Sequence, residues 1–453
     1  MQTSDSQPCC LIGLDLGTSA VKGVLLQSDG QVLKTAVHAT HHAQPKPDRV
    51  EQDALQQYQE MTTVIRELAG YAPTPVKALA AAAASGNTLL ADEYGNPLCP
   101  VINWMDKRCV GHLPAALTGL TSDAVREVTG WPCVEQFPLA HLAWLQEHEQ
   151  VLYRSATRVC MNTDWLLFRL TNRWMTDAST ATTFHLRHQV NRVWHQPFLE
   201  RLGLRENQLS PVTGSGVAVG PLTDEAAAAC GLTTGTLVAT GCFDHPAGAR
   251  ASRILATGQL MLSCGTSWVG FTPFHDRQTI LDAGMLCDPF LSENGGPWAG
   301  IFSVPAIGPV IDWYVNNLIA PGEENRWEIF NECAAQAPAG AEGLIIDLLA
   351  PPQPVEADRS LLSRAVMESA VRALNAHLLR LKQHGFSFNR AVLVGGPSKS
   401  SLWPRIITDM TGLDLTIGSP HAGAIGAALL AANAARIPVD KYHPFDPSDR
   451  PDK

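Results

Sequence analysis

The string LIGLDLGTSAVKGVLL, residues 11–26, comes back in altered form as QLMLSCGTSWVGFTP, residues 259–273. Each copy reads as an apolar strand, a Gly-Thr-Ser turn and a second strand. A repeat spaced by about 250 residues is far too long for a solenoid, whose units recur every ~20–50 residues, so it predicts two domains of related build. The length of 453 residues agrees, because single cores stop growing at roughly 250–300 residues. We place the division at Asp244, with an N-terminal domain over 1–243 and a C-terminal domain over 244–453.

Strand and helix patterns fill both halves, which predicts an α/β chain. In the first half CCLIGLDL, AVKGVLLQ and QVLKTAV form a meander, and VKALAAAAA reads as a buried strand leading through SGN to TLLAD. Helical spacing prevails between Leu117 and Leu170. GTLVATG is a further strand; it runs into GCFDHPAGA, where a helix is expected from Pro246. In the second half Leu362, Val366, Ala370, Leu374, Leu378 and Leu381 share one helical face, and Gly385 stops the helix. AVLVGG enters the turn GGPSKSS and the helix LWPRIITDM. HAGAIGAALLAA is a helix so rich in Ala and Gly that it must pack closely on a neighbour. PPQPVEADRS, 351–360, reads as a loop.

Composition excludes several functions. With 45% hydrophobic and 17% charged residues the chain belongs among soluble globular proteins. A net charge of −10 without a basic block argues against nucleic acid or an anionic membrane as partner. Eleven cysteines with no C-x-x-C form neither a disulfide framework nor a zinc site, and suit a reducing, cytoplasmic compartment. The polar start MQTSDSQPCC has no signal-peptide core, and no apolar run reaches the ~18 residues of a membrane span.

Three glycine-bearing turns follow strands: DLGTS, SCGTS and GGPSKS. Glycine lets backbone N–H groups approach an anion, and neighbouring hydroxyls add donors to phosphate oxygens. Asp15, just ahead of the first turn, could hold a hydrated Mg²⁺ beside such phosphates. Each turn alone reads as an ordinary hairpin, and the chain contains neither a P-loop nor a dinucleotide fingerprint. Three together, two of them duplicated, point to a nucleotide. Asp244 has two compatible readings. It can cap the helix that follows, with Pro246 in the first turn. It can also present a carboxylate at the carboxyl end of a strand and accept a hydroxyl proton as that oxygen attacks phosphorus.

In order along the chain, LIGLDLGTSAVKGVLL, GCFDHPAGA, LSCGTS and VLVGGPSKSSLWPRIITDMTGLDL…HAGAIGAALLA resemble the FGGY carbohydrate kinases, over about residues 10–432. The resemblance implies two ribonuclease-H-like α/β domains of the actin/hexokinase type. Their interdomain cleft would close on ATP, Mg²⁺ and a sugar, with the sugar on the N-terminal side and the nucleotide on the C-terminal side. It implies that Asp244 is the general base, and that Asp15, Gly17 and Thr18 form the first phosphate turn. Gly265, Thr266 and Ser267 would form the second, and Gly395 and Gly396, with Ser400 nearby, the adenosine motif. Gly308 and Asp312 of AIGPVIDWYV sit where relatives contact the nucleotide. On the sugar side it points to Asn87 and Thr88 of SGNTLL and to Trp104, Asp106 and Arg108 of INWMDKRC. Trp104 reads equally as a core aromatic and Arg108 as a structural ion pair. His245 stands where many relatives carry Asn or Gln, which alters a donor beside the substrate; it reads also as a surface or capping histidine. The chain also lacks the Met-His pair of many xylulose kinases and a long insert after G-L-I-x-x-P.

The expectation is an ATP-dependent kinase acting on a hydroxyl of a small ketose or polyol. A non-catalytic sensor on the same fold is the alternative, and a chaperone-like protein would need a peptide-binding module that the Pro-rich tail is too short to supply. Oligomeric state stays open, a homodimer included.

Overall fold

The computed structural model describes residues 8–112, 114–304, 307–439 and 442. The polar start of the chain and most of its Pro-rich tail lie outside these residues. Two compact units emerge. The first runs to Ala251 and takes in Asp288–Gly296 and the segment from His421; the second comprises Ser252–Cys287 and Pro297–Pro420. The division expected at Asp244 therefore falls after Ala251, and two later segments return to the first unit. The helix Ala422–Ala434 supplies the reason, since it packs on both the strand Cys10–Leu16 and the helix Asp244–Ala251.

The first unit is built on a sheet ordered Ala218–Pro221, Leu237–Ala239, Val76–Ala83, Cys10–Leu16, Ala20–Gln27 and Val32–Ala39. Cys10–Leu16 pairs parallel with Val76–Ala83 and antiparallel with Ala20–Gln27. Cys242–Phe243 continues alongside Ala82 and Ala83, also parallel. The second unit repeats the pattern around its own hairpin. Gln259–Cys264 pairs antiparallel with Trp268–Phe274 and parallel with Arg390–Gly395. Trp298–Val304 extends one side and Leu415–Ile417 the other. The echo seen in sequence is thus an echo of topology: a hairpin with an antiparallel neighbour on one flank and a parallel one on the other.

Helices complete the layers. Asp358 caps Arg359–Gln383 by accepting the N–H groups of Ser360 and Leu361, and the apolar face from Leu362 to Leu381 is buried. Gly385, at φ 86°, ends the run as expected. The small residues of Ala422–Ala434 are required by distance. A Cβ at Gly426 would run into the carbonyl of Ala247, and one at Gly13 into that of Ala424. The helix predicted from Pro246 begins two residues earlier, at Asp244.

Candidate active site

In the first unit the parallel strands Cys10–Leu16, Val76–Ala83 and Cys242–Phe243 run side by side, so their carboxyl ends bring Asp15, the SGN turn and Asp244 to one edge of the sheet, where α/β sheets place ligands. Asp244 opens the helix Asp244–Ala251; its Oδ1 accepts the His245 N–H at 2.7 Å and lies 3.9 Å from His245 Nε2. About a third of its side chain is exposed. The carboxylate therefore takes a hydrogen bond from its own neighbour and keeps Oδ2 for other partners. Behind it, the Phe243 N–H donates to Ser179 Oγ at 3.3 Å, and Ser179 Oγ donates to the buried Asp288 at 2.7 Å. Arg250 ties the same helix down through the carbonyls of Pro246 and Phe290.

Asp15 stands close enough to Asp244 to feel its charge. Burial first, and that charge second, push the Asp15 carboxyl up to about 6. Gly423 leaves room beside it, since a Cβ there would stand 2.7 Å from Asp15 Oδ2. Two neighbouring carboxylates are hard oxygen donors suited to a hydrated Mg²⁺. The Gly17–Thr18 turn follows, closed by the Gly17 N–H on the Ala20 carbonyl and pinned by the Trp104 indole N–H on Thr18 Oγ1 at 3.2 Å.

A cavity in this unit is lined by Gly17, Thr18, Thr40, Asn87 and Trp104, together with four further amides, Gln52, Gln57, Asn103 and Asn162. Gln52 Oε1 accepts from Gln57 at 2.9 Å and from Asn103 at 3.0 Å, and Gln57 Oε1 accepts from Asn162 at 3.4 Å. Asn162 Oδ1 is buried with no partner, an acceptor open to a hydroxyl. The Asn162 N–H holds Asn87 Oδ1 at 2.8 Å. None of the four amides figures among the residues expected from sequence. Gln57 does leave a trace, lying on the buried face of Ala54–Gly70 among Tyr58, Met61 and Ile65, and Asn103 directly precedes Trp104.

The other residues expected on the sugar side separate. Thr88 is fully buried, its hydroxyl 3.0 Å from His141 Nδ1, and it does not line the cavity. Asp106 and Arg108 form a two-point ion pair at 2.8 Å, extended to Glu51 at 2.7 Å, and Asp106 also accepts the Val50 N–H. Both side chains are buried, so they brace the loop carrying Trp104. Trp104 is partly exposed rather than a core aromatic.

In the second unit a larger, open cavity is lined by Gly265, Thr266, Gly308, Asp312, Gly396 and Ser400. Ser267 and Gly395 stand just behind these residues, shaping the turns. The Gly265 N–H bonds the Ser267 carbonyl at 3.2 Å, and the Gly308 N–H bonds the Thr266 carbonyl at 3.0 Å. A Cβ at Gly308 would come within 2.5 Å of the Gly265 carbonyl, whereas one at Gly265 would meet nothing. The first turn thus shows bare backbone to the cavity. Gly395 adopts φ 100°, a conformation that glycine tolerates. Ser400 accepts the N–H groups of Leu402 and Trp403 and donates to Asn331 at 2.6 Å. Lys399, Glu328, Asn331 and the tryptophans 268, 327 and 403 also line the cavity. Aromatic side chains, bare turns and a lysine around one cavity are groups that can take a flat base and an anion. Sequence reasoning missed the tryptophans, which come from three separate elements.

The chain is similar to known proteins over most of its length. Residues 10–250 match the N-terminal domain of the FGGY family of carbohydrate kinases, and residues 342–435 match its C-terminal domain. Xylulose kinase of Escherichia coli K12 is 28% identical over 94% of this chain and 90% of its own. Autoinducer-2 kinase of Klebsiella pneumoniae is 25% identical over 94% and 86%. Among solved structures, xylulose kinase from Rhodospirillum rubrum superposes with a TM-score of 0.84 at 24% identity, over 97% of this chain and 95% of that one. Plasmodium falciparum glycerol kinase with ADP gives 0.81 at 15% identity, over 94% and 90%. The fold is the two-domain, actin/hexokinase-like α/β fold of these sugar kinases. Among the described residues no helix is long and apolar enough to cross a membrane. The chain belongs to the FGGY family of carbohydrate kinases.

Proposed function

We propose that the protein transfers the γ-phosphoryl group of ATP to a hydroxyl of a short polyhydroxylated ketose or polyol, with Asp244 as general base. The acceptor oxygen attacks the γ-phosphorus, the bond to the β–γ bridging oxygen breaks, ADP leaves, and the hydroxyl proton passes to Asp244. The observation that carries this reading is the half-open Asp244 carboxylate at the carboxyl ends of parallel strands, one oxygen fixed by the His245 N–H. Asp15 would hold Mg²⁺, which neutralises phosphate charge when bound. Catalysis then rests on positioning and fixed charge.

ATP is assigned to the turns Gly265–Ser267 and Gly395–Gly396, with Thr266, Gly308, Asp312, Lys399 and Ser400. The acceptor is assigned to Asn87, Trp104, His245 and the amides Gln52, Gln57, Asn103 and Asn162. A row of neutral amides recognises hydroxyl groups and offers no countercharge for an acid or an amine. The names of the relatives put a pentulose such as xylulose, and autoinducer-2, first among acceptors to try. ADP release measured over pentuloses, hexuloses, polyols and autoinducer-2, with the product located by NMR, tests the reading. One neutral acceptor should stand out by at least about 100-fold in kcat/KM, since lost hydrogen bonds at a polar site are that costly. Silence across the panel would leave the non-catalytic sensor standing.

A further inference from the structure

Away from both cavities, His112, Glu147 and His148 gather at the carboxyl end of the helix Pro138–His148, with one ligand atom from each within 4.8 Å of the others. We propose that these three side chains form a second cation site, selective for a transition ion of the Zn²⁺ or Ni²⁺ class over Mg²⁺, that clamps the segment after Arg108 onto this helix. The inference stands independently of the kinase reading.

The donor set is the first argument. Two imidazoles and a carboxylate suit borderline ions, whereas Mg²⁺ takes oxygen ligands and water. Spacing is the second. His112 Nε2 lies 3.5 Å from Glu147 Oε1, long for a hydrogen bond whose usual length is ~2.9–3.0 Å. Two donors held at ~2.0–2.1 Å on one tetrahedral ion stand about 3.3 Å apart. The His112 side chain is 41% exposed, but its Nε2 atom is covered and makes no well-formed hydrogen bond beyond the long approach to Glu147. The third argument is orientation. Glu147 Oε2 accepts the Ala115 N–H at 2.9 Å, which turns Oε1 toward His112. His148 Nδ1 lies 3.1 Å from the Trp144 carbonyl, so it donates there and Nε2 carries the free lone pair. A ligating histidine anchored through its other nitrogen to a backbone carbonyl is the usual outer support of a metal site. The carboxyl end of a helix adds a favourable field for a cation. Glu147 and His148 are exposed, so a small side-chain movement closes the remaining distance.

Such an ion would act on the loop that braces Trp104. His148 stacks on Trp144 at 4.6 Å, and the Arg108 guanidinium lies 5.3 Å from the same indole. Linking His112 to Glu147 and His148 therefore restrains the segment immediately after the Asp106–Arg108 pair.

The test uses the full chain, stripped with a chelator and titrated calorimetrically with Zn²⁺ in excess Mg²⁺ near pH 7.5. One site with a micromolar dissociation constant is expected, with a rise in Tm on Zn²⁺ addition. His112→Ala and His148→Ala should each weaken binding by at least about tenfold and abolish the Tm rise. His38→Ala, at an exposed histidine elsewhere, should change neither. Metal-free melting curves that match the wild type confirm that the variants fold. Absence of a site tighter than millimolar, or binding that survives both substitutions, would overturn the proposal.

Discussion

Gln52 holds the amide row together, because its one oxygen serves the donors of both Gln57 and Asn103. Gln52→Leu keeps the volume and strands both donors in a buried setting, at about 1–3 kcal/mol for each. We expect a lower urea midpoint together with a raised KM for the acceptor and an unchanged KM for ATP. An unchanged acceptor KM would remove the row from acceptor binding. Arg108→Ala should behave differently. Removing one partner of a buried ion pair costs about 3–5 kcal/mol, and Asp106 would be left charged and fully buried. If Arg108 braces and does not bind, folded enzyme should keep an acceptor KM within a few-fold of wild type while its Tm falls steeply. A KM loss without a Tm loss would instead make Arg108 a direct contact.

Helix Ala422–Ala434 sets the position of the helix that carries Asp244. Gly426→Val would press a branched side chain onto the Ala247 carbonyl, and overpacking of this kind costs typically about 1–3 kcal/mol. Because the strained partner is the first turn after Asp244, kcat should fall more than stability alone requires, and kinetics read beside a melting curve will show it. An unaltered kcat would mean that the two helices move independently. The same scale shows what the sequence discloses. The GTS hairpins, the turn at Gly395 and the Ala/Gly helix are legible because each carries its turn or packing signal within a dozen residues. The amide row is not, since Gln52 and Gln57, close in sequence, meet Asn103 and Asn162 only through tertiary folding. Nor does any local signal report that Asp288–Gly296 returns to the first unit, where Asp288 takes the hydrogen bond of Ser179. Asp106 and Arg108 show a subtler limit: their motif reads alike for a substrate contact and for a brace, and only the partners decide.

For the molecule as a whole, buried titratable groups pull stability in opposite directions with pH. Burial lowers both His141 and His185 to about 3, so each is neutral in the fold. The stability that follows is present above pH ~6.5 and is lost as pH falls from there toward 3, because only the unfolded chain takes up the protons. Burial raises Asp164 to about 7 and Asp288 to about 6. Their contribution has the reverse sign, present below the ordinary carboxylate range and lost as pH rises through those values. His185 sits among Trp131 and Phe137, so His185→Phe removes one proton-linked term while keeping an aromatic ring. Relative to wild type, that variant should gain about 2 kcal/mol on going from pH 7.5 to pH 5. Urea unfolding at the two pH values reads the difference directly, and a difference independent of pH would show that the imidazole is not held neutral.

The central claim is that Asp244 takes the acceptor proton. Asp244→Asn keeps the size of the side chain and an oxygen for the His245 N–H but removes the base. With the best acceptor from the panel, ADP formation by this variant should fall by about 100-fold or more, while calorimetric ATP binding stays within a few-fold of wild type. Turnover near the wild-type rate, with ATP binding intact, would contradict the account.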